Sequence, residues 1–268
     1  MTSLRWVDGR PSPTRRLALL LYLQIVRQVL TWSGAWWFAF ALAAGQIVPP
    51  LIGLAVWRTV FPASSQISIY YLAVLFVVAT TASYENHTFS QSIYKGTISD
   101  QLVRPVPTPL LPIGENIALR IWISLFAMPI VLLVAVLLDV AVRVGDLLLA
   151  VPMWLVAGAL RFLFTWCMAM TAFWTERVHA ITAFGTVLMY MIGGNAVPVS
   201  LLPEGLNTIA RFLPFYSMIG LPSETAAGQS SSAALVGLLV QAAWLVVFSG
   251  LAVLLWRRGL TRYTAVSG

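Results

Sequence analysis

The chain has 268 residues, of which 59% are hydrophobic and 9% charged, with a mean hydropathy of +0.86 and a formal charge of +7. Soluble domains carry roughly 45–50% apolar and about 25% charged residues, so this balance excludes a soluble enzyme, a disordered chain and a disulfide scaffold. At about 20 apolar residues per span, the length allows six or so membrane helices and no sizeable domain outside the bilayer. The expected fold class is all-α: a polytopic membrane protein with six transmembrane helices and an N-terminal interfacial amphipathic helix, forming one domain over residues 1–268. The basic residues flank apolar segments, which fits topology and lipid headgroups and argues against nucleic acid. Cys167, the single cysteine, has no partner for a disulfide within the chain.

Met1 to Arg16 is polar and arginine-bearing, and no small-residue cleavage site follows a short apolar core, which argues against a removable signal peptide. Residues 17–33 are amphipathic. Gln24, Arg27, Gln28 and Thr31 share one helical face and Leu19, Leu23, Val26 and Leu30 another, so the segment reads as a helix in the membrane interface, with the front of a long first span as the competing reading. The first span runs from about Trp36 to Val60, with a kink expected at Pro49-Pro50. A short loop over 63–68 leads to a second span at about Ile69–Tyr84. Residues 85–116 form the longest polar stretch, a loop with chemistry or contacts outside the bilayer. The third span, Ile117–Val142, and the fourth, Leu147–Phe173, flank a tight turn at 143–146. After a short loop at Glu176 and Arg177 comes a fifth span, Ala180–Ala196, interrupted by Gly193-Gly194. It leads into a proline-punctuated segment, 198–228, that can re-enter protein at membrane depth but not bare lipid. The sixth span, Ala233–Trp256, closes on Arg257 and Arg258. No internal repeat is present, which argues against an inverted-repeat transporter.

Lysine and arginine sort unevenly between alternate compartments. The N-terminus, the 85–120 stretch, Arg177 and the tail hold twelve of the 16, whereas Arg58, Arg143 and Arg211 lie on the other side and Arg161 inside the fourth span. The positive-inside rule therefore places both termini, residues 85–116 and the Glu176–Arg177 loop in the cytoplasm, and residues 198–228 outside. The expected location is the inner (plasma) membrane. The only lysine, Lys95, follows Tyr94, so no phosphate-binding loop exists. His87 and His179 sit in no zinc motif, which argues against a metal centre. No G-x-S-x-G occurs, and Ser230 to Ser232 read as loop residues before a helix.

Within the polar stretch, Thr97 and Asp100 have the spacing of a capping box, Gly96 permits a sharp entry and Pro105 stops the element. The product is a helix of about two turns, Ile98 to Val103, with Arg104 at its end, favourable to the dipole. A short exposed apolar helix calls for a partner; the competing reading is a surface helix on headgroups.

The run from Tyr94 through Lys95-Gly96-Thr97-Ile98-Ser99-Asp100-Gln101-Leu102-Val103-Arg104 to Pro105, placed after a second span, resembles the cytoplasmic G-x-[ILS]-x-x-x-L-x-[RS]-P loop of type-2 permeases of ATP-binding cassette (ABC) transporters. Gly193-Gly194-Asn195-Ala196-Val197-Pro198, followed by Leu202-Pro203 and Leu213-Pro214-Phe215, is similar to that family's succession of glycine and proline motifs between its last two spans. Val199 departs from the leucine often found after the proline, and a second glycine-rich motif is absent. The resemblance implies a half-transporter: two six-span permeases, as homodimer or heterodimer, each receiving a separate ATP-binding subunit that holds ATP and Mg, with no cofactor bound by this chain. It implies that Gly96, Thr97, Ile98, Asp100, Leu102, Arg104 and Pro105 form the coupling helix, with Glu176 and Arg177 as a secondary contact, and that the cargo is an amphipathic compound moved outward.

Arg161 is the sharpest residue for a translocation path. An ionised group deep in a span costs on the order of 2.5–3.5 kcal/mol by insertion scales, so it must face protein, water or substrate. A carbonyl, Glu176 and an anionic headgroup or substrate are all candidate partners. Trp154 and Trp166 in the same span, and Asn195 after the fifth, complete the candidate path. Asp139 reads as snorkelling near a span end. The competing functional classes are a membrane-embedded enzyme or assembly subunit, needing convergent His, Asp or Glu, and a proton-coupled secondary transporter, needing a carboxylate near the midplane.

Overall fold

The computed structural model describes residues 13–62, 64–103, 106–228 and 231–267. Among them the chain is helical, without strands. Helix α1 (Pro13–Ser33) turns at Gly34-Ala35 into α2 (Trp36–Val60), so the amphipathic segment is separate from the first span. It packs along α6 (Leu110–Leu137). Leu19, Leu23, Val26 and Leu30 face outward, as a lipid-facing side requires, while Gln24 is buried. That corrects the polar face: Gly114 lacks a side chain, Gln24 fills the space, and Trp122 Nε1 donates to the Val29 carbonyl at 3.2 Å.

Helix α2 runs unbroken through Pro49-Pro50. Helix α3 (Ser65–Thr80) starts at Ser64, whose hydroxyl accepts from the Ile67 amide, an N-cap that satisfies one free donor. α3 is the centre of the molecule: Tyr70, Tyr71, Val74, Leu75 and Val78 are buried, and it packs on α2, α6 and α11 (Gly220–Ala226). The helix stops at Thr81, and after 82–84 the chain resumes as α4 (Glu85–Tyr94), then turns at Gly96 into α5 (Ile98–Leu102). The polar stretch expected over 85–116 is thus shortened from both ends. α4 is packed on α7 (Val144–Met170) with Glu85, Asn86 and Ser90 buried, and α6 begins at Leu110 and ends at Leu137, earlier at both ends than the Ile117–Val142 expected. Asp139 stands in the following turn at φ 48° and is exposed.

A 3₁₀ turn, Thr171–Phe173, ends α7. Helix α8 (Val178–Ile192) has 15 residues, about 22 Å at 1.5 Å each and too short for a hydrocarbon core of about 30 Å. The irregular chain after it completes the crossing expected over Ala180–Ala196. That backbone is satisfied by its neighbours: Tyr70 OH donates to the Gly194 carbonyl, and Tyr71 OH and Trp57 Nε1 both donate to that of Ala196. The segment then folds back through a 3₁₀ turn, Val199–Leu201, α9 (Glu204–Phe212), α10 (Pro214–Met218) and α11. α10 and α11 are buried against α7 and α3, whereas α9 exposes Leu206, Ile209 and Phe212. Last comes α12 (Ser231–Ser267), which runs past the expected end at Trp256 and packs along α7.

Among the described residues five helical segments are long and apolar enough to cross a membrane, namely α2, α3 with α4, α6, α7 and α12, and α8 is a shorter apolar helix. The segments at Gly96, Thr175 and Tyr263 meet at one end: Tyr263 OH donates to the Gly96 carbonyl at 3.1 Å and Tyr94 OH to that of Thr175 at 3.0 Å. At the other end Gly228 approaches Asp146.

Gly194 holds φ +94° against the Tyr70 hydroxyl and the Gly220 backbone. Gly194→Ala is expected to cost about 1–3 kcal/mol and to lower the midpoint of thermal aggregation read by size exclusion. Gly205→Ala, where an added Cβ has nothing within 4 Å, is the control expected to leave it unchanged.

Candidate functional site

The break between α3 and α4 organises the site. Ending a helix in a buried interior leaves carbonyls without partners, and each buried polar group left unsatisfied costs about 1–3 kcal/mol. Three side chains from α6 and α7 supply the donors. Arg161 donates through Nη1 to the Val78 carbonyl at 3.0 Å and to Thr81 Oγ1 at 2.7 Å. Arg120 Nε and Asn116 Nδ2 both donate to the Ala82 carbonyl, at 3.0 and 3.2 Å. Cations at the C-terminal end of α3 also oppose its negative dipole end. Gly158 lets Arg120 lie against α7: Nη2 donates to its carbonyl at 2.6 Å, and an added Cβ would meet Nη1 at 2.9 Å.

Glu85 sits at the start of α4, where a carboxylate suits the positive helix end. It is 2% exposed, and accepts from Asn116 Nδ2 and from Thr165 Oγ1, both at 2.6 Å. Asn116/Arg120 on α6 and Arg161/Thr165 on α7 are each spaced i, i+4, one turn of one face. Two guanidinium groups and one carboxylate thus gather at the break, linked through neutral partners and not by a direct ion pair.

Arg161 also borders a cleft of about 220 Å³ walled by α2, the break, α7 and α8, with Gln46, Asn86, His87, Thr186, Tyr190 and Asn195 among its lining. Gln46 Oε1 accepts from Arg161 Nη2 at 3.4 Å. Of the partners considered for Arg161, the carbonyl is the one found, and Glu176 is not among them. Asn195, 7% exposed, lines the same cleft. Trp154 and Trp166 do not. Trp154 Nε1 donates to Thr80 Oγ1 at 2.7 Å and faces a separate apolar cavity with Phe76 and Leu72. Trp166 is buried among Phe89, Phe162 and Trp256. Trp256 is half-buried against Phe89, Trp166 and Phe173, because α12 packs along α7. The His87 and His179 rings lie 6.0 Å apart, and among the described residues no group of three metal-binding side chains forms.

At the Gly96 corner the expected capping box does not form. Thr97 has helical φ and ψ, caps nothing with its side chain, and donates to the Ser92 carbonyl. The corner is held instead by Ile98, fully buried, and by Tyr263 on Gly96. Asp100, Leu102 and Val103 are exposed, as are Glu176 and Arg177 on the neighbouring loop. Arg104 and Pro105 lie outside the described residues.

The re-entrant segment has its own polar centre. Glu224, 3% exposed, accepts from the Ser200 amide at 3.0 Å and Tyr216 OH at 2.7 Å, and pairs with Arg211 at 3.2 Å. Burial and then the Glu224 carboxylate push the Tyr216 phenol upward from its ordinary value, so it stays a donor. Gln241 of α12 donates to the Met153 and Ser217 carbonyls. Nothing in this centre faces the cleft, so its role is to hold the segment.

An all-α bundle of long apolar helices with a polar cleft between them defines a polytopic membrane protein. Residues 63–267 match the model of the ABC-2 family transporter protein, and the chain belongs to that family, the permease type of ABC transporter. Searches of curated proteins and of solved structures gave no match.

Asn116→Leu removes the donors to Glu85, Ser83 and Ala82. It is expected to destabilise by about 1–3 kcal/mol, read as a lower thermal midpoint in detergent, whereas Thr208→Ala on exposed α9 should change it little.

Proposed function

We propose that this chain is the permease subunit of an ATP-driven exporter of an amphipathic compound, working as a pair of six-crossing chains with a separate ATP-binding subunit on each. The observation that carries the reading is the braced corner. Ile98 anchors α5 inside the bundle while Leu102 and Val103 stay exposed, at 37% and 83%, so a push on the corner is passed to α4 and through Tyr263 to α12. Rigid elements transmit such motion as whole-body shifts. ATP and Mg belong to the partner, since the chain has no phosphate-binding loop. A second permease, either another copy or a related chain, fits the face of α2 and α8, where Trp37, Phe40, Val48, Phe184 and Val187 are exposed. The asymmetry of basic residues supports both termini and the α5 corner on the cytoplasmic side of the inner membrane.

The buried Glu85 favours one competing reading, a proton-coupled carrier, which requires a carboxylate inside the membrane. Both its oxygens, however, are held by Asn116 and Thr165, and it does not line the cleft. Uptake into or from vesicles driven by a proton gradient without any ATPase would favour that carrier instead.

Purification from native membrane is expected to bring along an ATPase with a phosphate-binding loop. Leu102→Glu should reduce its capture at least about tenfold without loss of membrane insertion, and Asp100→Ala should lower transport-coupled hydrolysis. Ile98→Ala should act on thermal stability. Wild-type capture by Leu102→Glu would remove the corner from the coupling role.

A further inference from the structure

We infer that the cleft between α2, the α3–α4 break, α7 and α8 is a binding site for the acidic head of an amphipathic organic anion, a carboxylate or phosphate monoester on an apolar body. The inference rests on the permease reading for its biological meaning, but the site itself rests on unfilled valences at the cleft. Arg161 is 4% exposed, and its three hydrogen-bond partners, the Val78 carbonyl, the Thr81 hydroxyl and the Gln46 amide oxygen, are all neutral. Its Nε–H has no partner. Asn195 and Asn86, 7% and 5% exposed, line the same cleft, and each has a side-chain oxygen without a partner. Three side chains on three separate elements therefore border one cavity, and each carries a polar atom that is enclosed and has no partner. A buried polar group left so costs about 1–3 kcal/mol, and native interiors contain few.

Charge selects among ligands that could fill these valences. Arg161 and Arg120 stand against the single carboxylate of Glu85, which is taken up by Asn116 and Thr165, so the cluster carries one positive charge in excess. An anion completes it and a cation does not. Ser83, Thr165, Thr186 and His87 add polar lining, and no carboxylate side chain lines the cleft. Pro49, Val78, Met168, Met189 and Ile219 form the apolar wall, where the hydrocarbon part lies. The cavity, about 220 Å³, suits a head group and the first carbons, with the tail leaving between α2 and α8.

The test uses the full chain in nanodiscs of phosphatidylcholine, with radiolabelled decyl phosphate read by scintillation proximity. Saturable binding is expected, displaced by decanoate and not by decyltrimethylammonium. Arg161→Gln should weaken it at least about tenfold, and Asn195→Leu, which touches none of the Arg161 bonds, should weaken it in the same direction. If Arg161→Gln does not give a monodisperse protein, Asn195→Leu and the charge-keeping Arg161→Lys decide. Displacement when phosphatidylglycerol is added to the discs would assign the site to a lipid head, and its failure would assign it to a free organic anion. Equal competition by decyltrimethylammonium, or unchanged binding in Asn195→Leu, would overturn the proposal. Because binding is read without ATP or a partner subunit, loss of the exporter reading leaves this result standing. Intact ATP-driven transport with no anion binding would retire the site alone.

Discussion

The interruption of the second crossing is the constraint from which the rest of the arrangement follows. A helix that stops within hydrocarbon must hand its last carbonyls to other donors, and this chain hands them to Arg161, Arg120 and Asn116. Hydrogen bonds from charged donors are worth about 1.5–3 kcal/mol each, enough to set against the cost of placing an arginine at depth. The same contacts dictate where α6 and α7 stand relative to α3. Gly158 is required where Arg120 crosses α7, and Glu85 balances part of the charge from the first turn of α4. A polar break therefore acts as the joint that fixes three crossings, and the cleft opens beside it because the backbone there is not wrapped by its own helix.

The fifth crossing repeats the device by other means. Its helix is too short, and the chain beyond Ile192 is tied by phenol and indole donors from α2 and α3. Aromatic side chains do this well in a bilayer, since the ring is apolar and the tip is a donor. Both irregular segments thus lean on α3, the most buried helix. α8 packs on α4, α7 and α10 and leaves much of its surface exposed, so the cleft is walled on one side by the buried end of α3 and on the other by a more exposed helix.

The corner at Gly96 connects that interior to the outside. Its rigidity does not come from a helix cap, as the Thr97–Asp100 spacing had suggested, but from a buried isoleucine and a tyrosine sent back by α12. Exposed apolar atoms at Leu102 and Val103 thus stand on a base that is anchored in the bundle.

From the sequence alone came everything that depends on local composition: a lipid solvent, all-α crossings, the separate amphipathic N-terminal helix, the two proline- and glycine-marked segments, the Gly96 corner and the importance of Arg161. Hydropathy adds residue by residue along a helix, so these features need no knowledge of neighbours. The tertiary structure decided the fate of the polar residues. Glu85, Asn86 and Asn116 read as loop because each, taken singly, prefers water; Glu85 and Asn116 are buried because they bond one another, and Arg120 is held between α6 and α7 by the Ala82 and Gly158 carbonyls. Trp166 read as part of the path and is core, and Asn195 comes to line one cleft with Arg161, 34 positions away in sequence, only through the fold. Pairing between distant groups is a property of packing, and single-chain periodicity carries no record of it beyond the i, i+4 spacing of Asn116 with Arg120 and of Arg161 with Thr165.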